Sequence, residues 1–245
     1  DVEEHSIEKI LDYLKNKYYF LTEKKARRFA IFYPEDESGR EFVNLFWDQV
    51  VKRGGEIVGV EGFDPLATDF SKEIKSLTGL ADGASKPVVD FDALFIPERY
   101  QKVSLILPAL AYFDITGIPI LGPSNWNTRH FIERAGSQFV DNTYFVEMFE
   151  YDAKNLSQKK FYEAYESKVD AKPTYFSFLG YETAQVILYI LTKRDPDSRE
   201  EFREELNHLK KFTSIMGEVF LSEEGDFIKN HPILKITKNK IGPVN

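Results

Sequence analysis

"FDALFIPERYQKVSLILPALAYFDITGIPILGPSNWN", residues 91–127, contains a strand–helix–strand passage, and its reading decides the fold. "FDALFIP" (91–97) is a short apolar run closed by proline, the pattern of a strand covered on both faces. "QKVSLILPALAYFDI" (101–115) reads as a helix, with a kink expected at Pro108, whose ring and missing N–H disturb the ladder. "IPILGP" (118–123) is a second buried run. Two such strands joined through a helix make a parallel crossover. The passage then ends on Ser124-Asn125-Trp126-Asn127, and a tryptophan at such a corner either meets a ligand or plugs the core.

The same alternation extends outward. "RFAIFYP" (28–34) and "EIVGVEGF" (56–63) read as strands, and "NTYFVEMF" (142–149) as a fifth. Between them "SGREFVNLFWDQVVKRGG" (38–55) carries Phe42, Leu45, Phe46 and Val50 on one stripe and should stop at Gly54-Gly55. Trp47 stands on the flank of that stripe; if buried, its truncation to Ala should cost about 3–5 kcal/mol. Short helices are expected over 69–77, capped by Asp69 or Thr68, and over 127–136. Upstream, residues 6–20 read as a helix from a Ser6 cap, with Ile7, Ile10, Leu11 and Leu14 on one face. The fold class is α/β: a doubly wound, mostly parallel sheet with added helices and a C-terminal hairpin.

Beyond residue 152 the alternation ends. Residues 155–194 read as two consecutive helices, 198–209 as a third, and 217–241 as a hairpin or meander turning at Glu224-Gly225. "LADGASKP" (80–87) reads as a loop. The expected divisions are an N-terminal helical segment (1–27), an α/β lobe (28–152), crossing helices (153–211) and a returning hairpin (212–245).

Composition narrows the function. The 245 residues include 40 acidic and 32 basic side chains, a net charge of −8, which disfavours nucleic acid as a partner. Cysteine is absent, excluding disulfides and thiol catalysis, and no apolar run approaches a membrane span. Phosphate-loop, dinucleotide, nucleophile-elbow and zinc-protease motifs are missing. The four histidines (5, 130, 208, 231) share no metal-ligand spacing, and the pairs Glu35/Asp36 and Glu223/Glu224 sit in turns. The expectation is a protein that is not an enzyme and holds no cofactor or metal.

In open parallel sheets, ligands bind beyond the carboxyl ends of the strands. Here the loops at those ends gather Tyr33, Glu35, Asp36, Ser38, Asp64, Thr68, Glu98, Arg99, Tyr100, Ser124, Asn125 and Trp126, a mixture suited to a polar organic ligand or a peptide. Of these Tyr33, Glu35, Ser38, Glu98, Arg99, Tyr100, Ser124, Asn125 and Trp126 are the candidate ligand-binding residues. Ser38, Thr68 and Asn127 also read as helix caps, and Arg99 as a partner of Glu98 or Asp64.

The order of these segments resembles the type I periplasmic binding-protein family, the leucine/isoleucine/valine-binding group, and within it the branch of penicillin-binding-protein activators. The likeness is carried by residues 28–77 and 91–127, by "FLGYETAQVILYIL" (178–191) and by "FTSIMGEVFLSEEGDFIKNHPILKITKNKI" (212–241). It implies two α/β lobes closing on a ligand, with the loops around Glu98–Tyr100 and Ser124–Trp126 contributing from the second lobe. The position after Gly122-Pro123 is often acidic in branched-chain amino-acid binders, where it faces an ammonium group; here it is Ser124.

The resemblance also implies a first lobe for which this sequence has no matching opening segment. Two accounts are open: a fragment or truncation, or a minimal form in which residues 6–20 cover surface left by the missing sheet. The expected function is an extracytoplasmic, periplasmic solute-binding component of an ABC importer for an amino acid or similar small polar ligand, lipid-anchored in the full-length form. The alternative is an envelope module that activates a cell-wall synthase. Self-association through the uncovered surface of residues 155–194 is a further expectation.

Overall fold

The computed structural model describes residues 2–13, 26–80, 86–149, 151–221, 227–229 and 231–244. These fall into two compact units, residues 1–148 with 232–245, and residues 149–231. Residues 14–20 of the expected first helix, 81–85 of the expected loop, and the turn at Glu224-Gly225 lie outside the described residues.

The first unit is built on a sheet in the order β10-β9-β5-β4-β3-β1-β2. Its parallel strands are β1 (Arg28–Pro34), β2 (Glu56–Phe63), β3 (Ala93–Phe95), β4 (Ile120–Gly122) and β5 (Thr143–Val146). β3, β4 and β5 are shorter than the apolar runs suggested, and all their residues are buried. Side chains alternate across the sheet, as the two-residue period of a strand requires. Ala30, Phe32, Leu94, Ile96, Ile120 and Phe145 enter one core. Phe29, Ile31, Phe95, Leu121, Tyr144 and Val146 enter the other.

Each core has its own helices. α1 (Val2–Tyr13) and α2 (Glu37–Lys52) cover the second face; α3 (Ser71–Leu77), α4 (Tyr100–Tyr112) and α5 (Arg129–Ala135) cover the first. α2 stacks Phe46 on Phe95 with ring centroids 4.2 Å apart. Trp47, the next residue on the flank of the stripe, is turned by about 100° around the helix and is 42% exposed, so the burial on which the large truncation cost depended is absent. α4 continues through Pro108.

α1 begins at Val2, before the expected cap at Ser6. Ile7, Ile10 and Leu11 are buried in the sheet's own second core. The described part of the segment, residues 2–13, thus lies on the face of the sheet that α2 also covers. Polar contacts fix it to α2: Arg53 Nε donates to Asp12 at 2.7 Å and Gln49 Nε2 donates to Glu4 at 2.7 Å. The hydrogen bond and charge of Asp12 hold the Arg53 pKa above its ordinary value, against the opposing effect of burial.

Residues 212–245, expected to return together, divide instead. β9 (Ile233–Thr237) and β10 (Lys240–Pro243) form the hairpin, and β9 pairs antiparallel with β5. β6 (Lys211–Ser214), β7 (Gly217–Leu221) and β8 (Phe227–Lys229) make an antiparallel sheet of the second unit. That unit also holds α6 (Leu156–Val169), α7 (Tyr175–Lys193) and α8 (Arg199–Asn207). Within it Glu182 on α7 is 4% exposed and accepts from Lys229 Nζ and Ser214 Oγ.

Two stability outcomes follow. Ile10→Ala should destabilise the first unit by about 2–5 kcal/mol in urea unfolding, whereas Trp47→Ala should cost clearly less. Equal costs would contradict the docking of α1. Glu182→Ala removes the buried carboxylate to which both Lys229 and Ser214 donate and should cost about 3–5 kcal/mol; a change typical of a surface site would show that the carboxylate is solvated.

Candidate functional site

A sheet in the order β2-β1-β3-β4-β5 reverses its winding between β1 and β3, so the loops leaving these strands diverge and open a crevice at their carboxyl ends. A concavity of about 540 Å³ lies there, within the first unit. Its walls are Pro34 at the end of β1 with Asp36 and Ser38 beyond it, Pro97, Glu98 and Arg99 after β3, and Gly122 at the end of β4 with Pro123, Ser124 and Asn125 beyond it. Phe42, Phe95 and Met148 line it from below, and Ile7 and Ile10 of α1 close one side.

The loop after β1 turns sharply into α2. Asp36 caps that helix, its Oδ1 accepting from the Gly39 N–H at 2.7 Å. A Cβ at Gly39 would stand 2.0 Å from the Pro34 carbonyl oxygen, so only glycine lets the first turn approach the strand end this closely. The cap is therefore Asp36, and Ser38, expected as a cap, is left exposed on the concavity.

After β3, the Arg99 N–H donates to Glu98 Oε1 at 2.6 Å, and Arg99 is the N-cap residue of α4. Among the described residues its guanidinium makes no ion pair with Glu98 or Asp64, the two partners considered. After β4, residues 124–126 form one turn of 3₁₀-helix.

Trp126 ends that turn with no exposed surface. Its indole packs against Phe131 and Phe145, with centroids 5.3 and 6.3 Å away, and its Nε1 donates to the Glu98 carbonyl at 2.8 Å. Gly122 makes room for it: a Cβ there would lie 2.1 Å from Trp126 Cζ2. Trp126 is thus the core plug that ties the β3 loop to the β4 loop, and as a ligand contact it is corrected.

The concavity does not include Tyr33, Glu35 or Tyr100 either. Tyr33 packs with the second core. Glu35 sits beside β2, its N–H bonded to the Phe63 carbonyl at 2.9 Å. Tyr100 lies against Phe131, centroids 6.3 Å apart, by a shallow surface depression with His130, Glu133 and Arg134. Asp64 and Thr68, at the outer edge of the sheet, also fall outside it, and Asp64 accepts from the Leu66 N–H. Thr128, not Asn127, caps α5.

Of the candidates, Ser38, Glu98, Arg99, Ser124 and Asn125 are brought together, joined by Asp36. Sequence reasoning missed Ile7, Ile10, Phe42, Phe95 and Met148. The apolar stripe on α1 was visible, but its destination was not. Among the described residues no group of three or more His, Asp or Glu side chains could hold a metal. No described helix is long and apolar enough to cross a membrane.

The sequence profile of a family described as periplasmic binding protein matches residues 17–240. The chain belongs to the type I periplasmic binding-protein family. A comparison with curated protein sequences finds no match. Among solved structures of the family's fold it is similar to the leucine-binding protein LivK of Thermotoga maritima, at 22% identity and a TM-score of 0.69, with 99% of this chain and 65% of that one covered. For the branched-chain amino-acid binding protein LivJ of Streptococcus pneumoniae in complex with isoleucine, the values are 20%, 0.65, 98% and 63%. For a branched-chain amino-acid ABC transporter periplasmic ligand-binding protein of Burkholderia xenovorans they are 13%, 0.73, 98% and 62%. The chain therefore spans 62–65% of the length of these relatives.

The two tryptophans provide an optical check. In a Trp47→Phe variant the remaining emission should come from Trp126 alone, be blue-shifted, and resist quenching by iodide. Strong quenching would place Trp126 at the surface. Gly122→Ala should cost about 1–3 kcal/mol through overpacking and redshift that emission.

Proposed function

We propose that this chain carries the ligand-contacting α/β lobe of an extracytoplasmic solute-binding component of an ABC importer, and that its ligand is an amino acid or a similar small polar molecule. The observation that carries this reading is the concavity at the winding reversal. It combines an apolar floor and side wall with polar side chains from three different strand ends. Ligand sites typically show this mix: mostly apolar lining for affinity, and a few convergent polar groups for orientation.

Relatives support the choice of ligand class. The S. pneumoniae protein was solved with isoleucine, and an ABC transporter substrate-binding protein of Desulfitobacterium hafniense with leucine. The concavity offers the apolar half of such a ligand Ile7, Ile10, Phe42 and Phe95. It offers the polar half the hydroxyls of Ser38 and Ser124, the amide of Asn125 and the charges of Glu98 and Arg99.

A thermal-shift and calorimetric screen of the amino acids tests the reading. An aliphatic amino acid at a hundred times its Kd should stabilise the chain by about 2.7 kcal/mol, and Asn125→Ala should reduce the shift without lowering the stability of the free protein. A flat response to every amino acid, together with capture of a cell-wall synthase by the same chain, would favour the envelope-module alternative.

A further inference from the structure

The charged side chains of the concavity differ in how they are held. Asp36 and Glu98 each have a carboxylate oxygen engaged by a backbone N–H, from Gly39 and Arg99 respectively. Both are thereby fitted into the turns that build the site. Arg99 also lines the concavity, is exposed, and among the described residues has no carboxylate partner for its guanidinium. The same concavity is lined by residues with side-chain donors, the hydroxyl of Ser124 and the amide of Asn125. Among the described residues the side chains of Arg99, Ser124 and Asn125 make no hydrogen bond, so these are the polar groups of the lining that the turns do not use.

Resting on the proposed binding role, we infer that Arg99 is the specificity-determining residue of this site and takes the carboxylate of a ligand with an apolar body. The anionic end of the ligand, not its ammonium, is turned toward this unit. A guanidinium presents a planar fork of N–H donors that matches a carboxylate with two parallel hydrogen bonds, and such charge-assisted bonds are stronger than neutral ones. Ser124 fits the same assignment, since a hydroxyl donates to a carboxylate where an acidic side chain would repel it. The apolar body is accommodated by Ile7, Ile10 and Phe95.

Three probes of one shape separate the charges: leucine, 4-methylpentanoate, which lacks the ammonium, and 3-methylbutylamine, which lacks the carboxylate. Each is titrated into the full chain, with amide chemical shifts of Ser124 and Asn125 as the local readout. The acid should bind at least as well as leucine, and the amine should not bind. Arg99→Gln should weaken the acid about tenfold or more, with partial rescue by Arg99→Lys and a loss of affinity as salt rises. Both variants keep the backbone groups that α4 uses, and unchanged unfolding curves verify this.

Binding of the amine but not the acid would overturn the assignment and leave the proposed binding role standing. So would leucine affinity unchanged in Arg99→Gln. Silence of all three probes at Ser124 and Asn125 would overturn the assignment together with the amino-acid reading on which it rests.

Discussion

A parallel sheet cannot leave either face in water, because its crossover helices must lie on those faces and its strands are apolar throughout. Here that constraint is met by two unequal teams of helices. The first face takes α3, α4 and α5, which arise from the crossovers after β2, β3 and β4. The second receives only α2 from a crossover, so its cover is completed by α1, which precedes the sheet in the chain. Phe29 packs on Phe46 of α2, while α1 lies over β5, whose Tyr144 and Val146 face this core. Burying side chains of this size is worth roughly 1.5–3 kcal/mol each, ample reason for an upstream helix to be recruited.

The site is a by-product of the same winding. Because β1 and β3 send their helices to opposite faces, the loops between them part, and the crevice needs no separate design. What keeps it open and shaped is local. Asp36 and Gly39 set the angle of one wall. The buried indole N–H of Trp126 has to find an acceptor, and by choosing the Glu98 carbonyl it locks the other two walls together. The residues nearest a ligand are thus held by neighbours that never touch it.

Most of the sheet was legible in the sequence because buried parallel strands are short apolar runs, and 28–34, 91–97 and 118–123 are of that kind. The strand ends were less legible: hydrophobicity continues through Ile96 and Pro97 although pairing stops at Phe95. The site was legible by position, since the loops after β1, β3 and β4 follow from topology. It was not legible by side chain. Whether Tyr33 or Trp126 turns inward depends on packing that periodicity does not encode in loops, and Trp47 shows that the edge of a helical stripe is ambiguous even where the period is clear. α1 was read as a helix, but no local pattern says which surface an amphipathic helix will meet.

Ile7 and Ile10 belong at once to the hydrophobic core and to the wall of the concavity. Occupancy and local folding are for that reason one equilibrium seen from two sides. Any fluctuation that lifts α1 from the sheet also dismantles the wall, and a bound molecule resists it by the free energy of its own association. Hydrogen exchange along α1 should consequently slow with ligand concentration, making the N-terminal helix a reporter of a site formed mostly by loops far from it in sequence.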